Sequence, residues 1–238
     1  MSAKPARAMV LAAGLGLRLR PITEKIPKPL VEVGGRTLLD RALDHLAASG
    51  VQQAVVNTHY LPEMIEKHVA SRQRPAIDIS REDELLETGG GVLKALDRLG
   101  GGPFYVVNSD IAWLDGKIPA LQRLASAWDD ARMDALLLVV PRESAGDYEG
   151  TGDYFLSAQG ALRRRKTGEP APFVFSGVQI LHVRLFDRAK PGRFSLNLLY
   201  DRAEAAGRLY ALVHDGAWYH IGSPAGLAQA GRELAKKL

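Results

Sequence analysis

Between residues 8 and 141 short apolar runs alternate with amphipathic stretches, and this alternation restricts the fold more than any other feature of the chain. "AMVLAAG" (8–14), "QAVVNTH" (53–59), "AIDISRE" (76–82), "PFYVVNSDI" (103–111) and "DALLLVVP" (134–141) read as strands. Helical patterns separate them. "TLLDRALDHLAASG" (37–50) opens on a Thr37 cap and stops at Gly50, and "LPEMIEKHVASR" (61–72) carries Pro62 in its first turn. "TGGGVLKALDRLG" (88–100) opens on glycines, with Thr88 placed to cap it, and "IPALQRLASAWDDA" (118–131) repeats the pattern. Strands that alternate with helices imply right-handed crossovers and a mostly parallel sheet covered on both faces. After Pro141 the pattern changes: "DYFLS", "ALRRRK" and "FVFSGVQILH" read as strands joined by short turns. A helix at 196–206, the stretch "LYALVHDGAWYHIG" and a closing helix at 224–237 follow. The predicted fold is therefore α/β, a doubly wound, mostly parallel but mixed sheet with antiparallel strands added in the second half.

Composition narrows the function classes. With 46% hydrophobic and 24% charged residues, the 238-residue chain can bury a core without staples and is expected to form a single domain. It has no cysteine, which excludes disulfides, thiolate catalysis and cysteine-bound zinc. No apolar run approaches the roughly 20 residues of a membrane span, and the glycine-broken start is too short for a signal peptide. The reading is a soluble cytoplasmic protein with no membrane partner. A net charge of +4 suits anionic small molecules; with 7% aromatic residues and no basic helical stripe, no nucleic-acid partner is expected. The densest basic run, Arg163 to Lys166, sits among turn residues and reads as solvated surface.

The first strand runs directly into "GLGLRLR". Gly14 and Gly16 let backbone amides approach a ligand beyond the carboxyl end of a strand, where open α/β sheets bind their ligands. Arg18 and Arg20 add cations able to grip phosphate oxygens. The stretch lacks the Gly-Lys-Ser/Thr of a Walker loop and, with Leu19 at the third position, the full dinucleotide fingerprint. Pro27 and Pro29 stiffen the backbone on both sides of Lys28. A rigidly held lysine near an arginine-bearing glycine loop suggests a site for concentrated negative charge, such as a nucleoside triphosphate.

Together "LAAGLGLRLRPIT" (11–23) and "PKPLVEVGGRTLLD" (27–40) resemble the sugar-1-phosphate nucleotidylyltransferase family. "LLETGGGVLKAL" (85–96) and "VVNSD" (106–110) extend the likeness, and with "FSGVQILH" and "GAWYHIGSP" it is greatest to the N-acetylmuramate α-1-phosphate uridylyltransferases. The resemblance implies a Rossmann-like nucleotidyltransferase fold, with a nucleotide-binding half over about 1–141 and a sugar-binding part over about 142–238. Its partners would be UTP and a sugar-1-phosphate, and its cofactor Mg²⁺. Leu11, Ala12, Ala13, Gly14, Gly16, Thr88, Gly89 and Gly90 would enclose the nucleotide. Arg18 would hold the β- and γ-phosphates, Lys28 the α-phosphate or the incoming sugar phosphate, and Asp110 the metal. Gly152, Asp153, Ser176 and Gly177 would line the sugar pocket. For Asp147 and Asp153 loop punctuation is the competing reading. His59, after the second strand, is either near the nucleotide or a structural histidine, and Glu87 faces either ligand or solvent.

Two departures from the family pattern matter. Relatives often carry a second metal-binding carboxylate where this chain has His220, in "WYHIGSP". Imidazole is a poor ligand for Mg²⁺. Either Asp110, phosphates and water suffice, or Mn²⁺ is accepted, or the enzyme is impaired; the intact Asp110 and phosphate loop favour the first. Where many relatives place a Glu-Lys-Pro segment stands "LRRRKTG". Arg165 or Lys166 there could supply the phosphate contact instead, and the missing glutamate points toward a muramic acid, whose lactyl carboxylate would welcome a cation. The expected function is condensation of UTP with N-acetylmuramate α-1-phosphate to UDP-N-acetylmuramate and pyrophosphate, in peptidoglycan recycling. The alternatives are a mannose-1-phosphate guanylyltransferase or glucose-1-phosphate thymidylyltransferase, and a non-catalytic nucleotide-sugar sensor. The chain leaves no length for an added β-helix, so a bifunctional acetyltransferase is not expected. The oligomeric state stays open.

Overall fold

In a computed structural model describing residues 4–146 and 148–236, the first apolar run forms β1 (Arg7–Leu11) and gives way at once to the glycine loop. A small hairpin missed in the sequence, β2 (Glu32–Val33) and β3 (Arg36–Thr37), leads into α1 (Leu38–Ala48). Thr37 caps α1 as expected: its hydroxyl oxygen accepts from the Asp40 amide at 3.0 Å. Then come β4 (Gln53–Thr58), α2 (Pro62–Val69), β5 (Ala76–Arg81), α3 (Glu87–Ala95) and β6 (Pro103–Asn108). The run predicted as one strand over 103–111 breaks at Ser109, and its tail becomes β7 (Ile111–Trp113). At the break the Ser109 amide makes the last ladder bond to the Leu11 carbonyl, at 3.1 Å, and the Ser109 hydroxyl donates to the same oxygen at 2.6 Å.

The second half contributes α4 (Ala120–Ala127), β8 (Ala135–Pro141), β9 (Tyr154–Leu156), β10 (Leu162–Arg164) and β11 (Phe173–His182). It closes with α5 (Asn197–Ala205), β12 (Leu209–Val213), β13 (Trp218–His220) and α6 (Pro224–Ala235). Asp147 and Lys237, the expected last residue of the closing helix, lie outside the described residues.

Strands order as β10-β9-β11-β6-β1-β4-β5, with β8 between β11 and β12. β1, β4, β5 and β6 are mutually parallel, and β11 runs antiparallel to β6, β8 and β9. From β1 the chain steps outward to β4 and β5, then returns to β6 on the other side of β1. The switch point therefore lies between β1 and β6, the place where such sheets open a crevice. The strands read as unbroken apolar runs because both faces are covered. Val10, Val56 and Val107 pack against α1, while Met9, Val55 and Val106 pack against Val92 of α3.

A third cluster joins distant segments. Leu19, Val31, Val33 and Leu38 pack with Ile221, Ala230 and Leu234, so β13 and α6 are held against the loop that carries Arg18 and Lys28. Among the described residues no helix is long and apolar enough to cross a membrane.

Candidate active site

A cavity of about 550 Å³ opens at the switch point, beyond the carboxyl ends of β1, β4 and β6. Of the residues named from sequence, Leu11, Ala13, Gly14, Gly16, Arg18, Lys28, Thr88 and Asp110 line it, as does Glu87. Local chemistry explains how the loop reaches them. Gly16 sits in the left-handed region (φ 65°), and a Cβ there would come within 3.0 Å of Thr23 and 3.1 Å of Lys28. Glycine thus lets the loop fold back onto Thr23, whose hydroxyl donates to the Gly16 carbonyl at 2.8 Å. Gly14 differs: an added Cβ would meet nothing within 4 Å, so its bare backbone is not required by packing.

Lys28 begins a tight turn between its two prolines and is buried. Its Nζ donates to Oδ2 of Asp110 at 3.0 Å, and the Asp110 side chain remains 35% exposed. Burial works to raise the Asp110 carboxyl pKa, but the charge and hydrogen bond of Lys28, with Arg18 adding less, outweigh it and hold the group below the usual carboxylate range. Asp110 is therefore ionised at neutral pH. The β7–β13 ribbon pairs Ile111 with His220 and so brings His220 beside Asp110. Burial lowers the His220 pKa, with Asp110 opposing and Lys28 and Arg18 adding to the fall, which leaves a neutral ring. Arg18 lines the cavity and forms no ion pair among the described residues; a Cβ on Gly222 would lie 3.3 Å from its guanidinium.

Other residues are placed differently from the sequence expectation. Ala12 is buried outside the cavity, with its amide donating to Asn57 Oδ1 at 2.7 Å. The Gly89 and Gly90 amides both donate to the Phe194 carbonyl, at 2.9 and 3.1 Å. Those glycines admit the segment before α5: a Cβ at Gly90 would overlap the Gly192 carbonyl oxygen, and one at Gly89 the Phe194 ring. Thr88 is not a helix cap, because α3 begins one residue earlier and the Thr88 hydroxyl oxygen accepts from the Leu196 amide at 2.9 Å. His59 bonds the Glu82 carbonyl with Nδ1 at 2.9 Å and does not line the cavity.

The four residues expected at the sugar are also absent from the cavity wall. Ser176 is fully buried, with its oxygen accepting from Val178 and its carbonyl from the Trp218 indole. Gly177, at the β11 irregularity, packs against Asn108, which does line the cavity. Asp153 accepts from the Phe175 amide at 2.9 Å, and Gly152 packs on the Ala171 backbone. The basic run lies elsewhere too, lining a separate groove with Asp201 and Glu204.

Sequence reasoning missed several lining residues: Leu17, Pro29, Asn57, Leu85, Asn108, Ser109 and Ser195. Asn57 and Asn108 carried a usable signal, since each is a polar residue ending an apolar strand on the same edge as the glycine loop. Ser195 carried none; it arrives from a distant segment by tertiary contact.

A nucleotidyl transferase family profile matches residues 7–149. The chain is 43% identical over 99% of its length to the N-acetylmuramate alpha-1-phosphate uridylyltransferase of Caulobacter vibrioides, covering 100% of that protein. It is 31% identical to the enzyme of the same name from Neisseria meningitidis serogroup B, covering 94% of this chain and 96% of that one. The structure superposes with a TM-score of 0.82 on a putative glucose-1-phosphate thymidylyltransferase from Bacillus anthracis, at 17% identity over 96% of this chain and 95% of that one, a likeness of fold. The sheet, the glycine loop at its switch point and the matching of nearly the whole chain agree, and the chain belongs to the nucleotidyl transferase family.

Proposed function

We propose that the protein joins UTP to N-acetylmuramate α-1-phosphate, releasing pyrophosphate and UDP-N-acetylmuramate. One observation carries the reaction type: Arg18 and Lys28 from the loop after β1 and Asp110 from beyond β6 converge on one cavity at the switch point. The substrate pair is supported by near-complete coverage of two uridylyltransferases of that name. In this reading a phosphate oxygen of the sugar-1-phosphate attacks the α-phosphorus of UTP. The bond from that phosphorus to the bridging oxygen breaks, and pyrophosphate leaves with the electron pair. The attacking phosphate is already ionised, so no general base is required; positioning and charge neutralisation supply the rate.

Lys28, buried and braced by its prolines, keeps its ammonium at a fixed point over the α-phosphate, where it stabilises charge as two anions approach. Arg18, free of any carboxylate partner among the described residues, holds the departing β- and γ-phosphates. Leu11, Ala13 and Gly14 present backbone to the nucleoside, with Gly14 allowing close approach.

The donors present fit Mg²⁺ carried in on the substrate, since Asp110 is one ionised carboxylate facing the cavity and no group of three or more acidic or imidazole side chains forms a cage among the described residues. Mg²⁺ in nucleotide enzymes is held by one or two carboxylates, substrate phosphates and water. Asp110 would hold it, and when bound it supplies neutralising charge at phosphate oxygens. His220 is not a ligand in this reading; its neutral ring sits beside Asp110 without adding charge. The reading places the protein in the cytoplasm, in peptidoglycan recycling.

The test is pyrophosphate release with Mg²⁺, crossing UTP, CTP, GTP, dTTP and ATP against the 1-phosphates of N-acetylmuramate, N-acetylglucosamine, glucose and mannose. Turnover confined to UTP with N-acetylmuramate 1-phosphate is expected. Preference for another pair discards the substrate and keeps the chemistry, whereas nucleotide binding without turnover anywhere on the grid overturns the enzyme reading.

A further inference from the structure

Two buried polar side chains, of which Asn57 lines the cavity, connect the glycine loop to the turn that leads into α3. Asn57, at the end of β4, is 2% exposed, and Glu82, just past β5, is 3% exposed. Asn57 Oδ1 accepts from the Ala12 amide at 2.7 Å, which fixes the start of the glycine loop. Asn57 Nδ2 donates to Glu82 Oε1 at 2.7 Å. Glu82 Oε2 accepts from the Leu86 amide at 3.0 Å, which fixes the turn leading into Glu87 and Thr88. Glu82 forms no ion pair among the described residues, so three hydrogen bonds in series, closed by a buried carboxylate, join the loop to the turn. The backbone adds a brace, because the Glu82 amide donates to the Thr58 carbonyl at 2.7 Å. Gly91 of α3 completes the arrangement: a Cβ there would lie 2.7 Å from Glu82 Oε1 and 2.9 Å from Asn57 Nδ2.

A buried carboxylate without a cation is costly, and an apolar pair would hold a plain core more cheaply. What this one provides is direction. Each of its oxygens is used by a different segment, and the Asn57 amide can satisfy Ala12 and Glu82 together in only one orientation. We infer that Glu82, acting through Asn57, is a positioning residue that sets the separation of the Leu11–Gly14 loop from the Glu87–Thr88 turn and thereby the fit of the nucleoside between them. The inference rests on the proposed reading that this cavity takes a nucleoside triphosphate.

The donor and acceptor pattern supplies a reciprocal test. In Glu82→Gln a carboxylate oxygen becomes an amide donor facing either Asn57 Nδ2 or the Leu86 amide, and turning Asn57 over to meet it sets Nδ2 against the Ala12 amide. In Asn57→Asp two carboxylates face each other. The double variant Asn57→Asp/Glu82→Gln restores every bond with the roles exchanged and the total charge unchanged. UTP affinity by calorimetry, both KM values and the melting temperature are measured for the wild type, each single variant and the double.

Each single variant is expected to raise the UTP Kd and KM by on the order of tenfold or more, with the sugar-phosphate KM within about twofold, and the double variant to restore UTP binding. Gly91→Ala, which presses on the same bonds from α3, is expected to reproduce the single-variant defect. Where a single variant fails to fold, recovery of both folding and UTP affinity in the double supports the relay. Single variants with unchanged UTP affinity overturn the inference, as does a double variant no better than the singles. It is equally overturned if melting temperatures fall while both KM values stay at wild type, because the pair is then structural only. A wild type that binds no nucleoside triphosphate overturns the functional reading itself; if it binds GTP or dTTP instead, the same comparison is made with that nucleotide.

Discussion

Two basic clusters look alike in the sequence and differ in the folded chain. Arg18 and Lys28 line the cavity, where Asp110 pairs with Lys28 and Arg18 has no carboxylate partner among the described residues. In the run from Arg163 to Lys166 two of the four charges, those of Arg163 and Arg164, are matched by carboxylates. Arg163 makes paired bonds to Glu169 at 2.9 and 2.8 Å and stacks on the Phe155 ring, and Arg164 makes two bonds of 2.6 Å to Asp201. The bonds from Arg163, then from the Lys166 amide, hold the Glu169 carboxyl down at about 2. A count of cations favours the second cluster, but the cations that line the cavity are in the first. Tertiary contacts decide this, and Asp201, which takes up Arg164, comes from α5, 37 residues away.

The largest effects should come from removing the charges that line the cavity. Lys28→Ala should lower turnover by on the order of 10²-fold or more, as for a preorganised transition-state cation. Asp110→Ala should abolish it while the circular dichroism spectrum is unchanged. If a tenth of the activity survives in the latter, Asp110 has no metal role, and a Lys28→Ala defect confined to melting temperature would make Lys28 a structural lysine.

The glycines sharpen the same contrast between what packing uses and what it leaves for a ligand. Gly90→Ala drives a Cβ into the Gly192 carbonyl and should destabilise the protein by roughly 1–3 kcal/mol, as overpacking does. Gly14→Ala meets no neighbour, so its melting temperature should match wild type while the UTP KM rises. A Gly14→Ala enzyme with wild-type KM would place the nucleotide away from that backbone.

Arg164→Ala tests the second cluster. An exposed ion pair contributes about 0–1 kcal/mol, so thermal melting should shift by a few degrees at most and neither KM should change. A raised sugar-phosphate KM would show that this groove reaches the substrate after all.

The smallest effect concerns a group that avoids charge. His214 is 4% exposed, and burial pushes its pKa below the ordinary 6.5, against the pull of the Ala217 carbonyl and of Asp115 and Asp215. The unfolded chain thus binds this proton more readily than the folded one. The stability involved is complete above pH 6.5 and is lost as pH falls from there through the lower folded value. His214→Gln should flatten the stability profile across that interval, measured by urea unfolding between pH 7 and pH 5. An unaltered slope would assign the acid sensitivity to other groups.

Much of the fold was legible because it depends on local patterns. The unbroken apolar runs at 8–11, 54–56 and 104–107 mark strands covered on both faces, and Thr37 and Pro62 mark helix starts that the structure keeps. The glycines of α3 were noticed for a different use from the one packing makes of them: they read as amides offered to a ligand, and the Phe194 carbonyl takes those amides. Their spacing could not reveal this, because Phe194 lies 104 residues beyond Gly90. The sugar-side residues carried a similar ambiguity. Ser176 and Asp153 are polar in sequence, yet the β11 irregularity and the Trp218 indole draw both into backbone support.

By itself the sequence determined the parallel core, the glycine loop that leaves β1 and the rigid presentation of Lys28, since strand periodicity, bare backbone and proline geometry act within a few residues. Tertiary structure alone decided which charges reach the cavity, which amides are already satisfied, and that Asn57 and Glu82 meet. Those outcomes depend on strand register and on contacts closed over tens of residues, and no local pattern encodes which donor will find which acceptor.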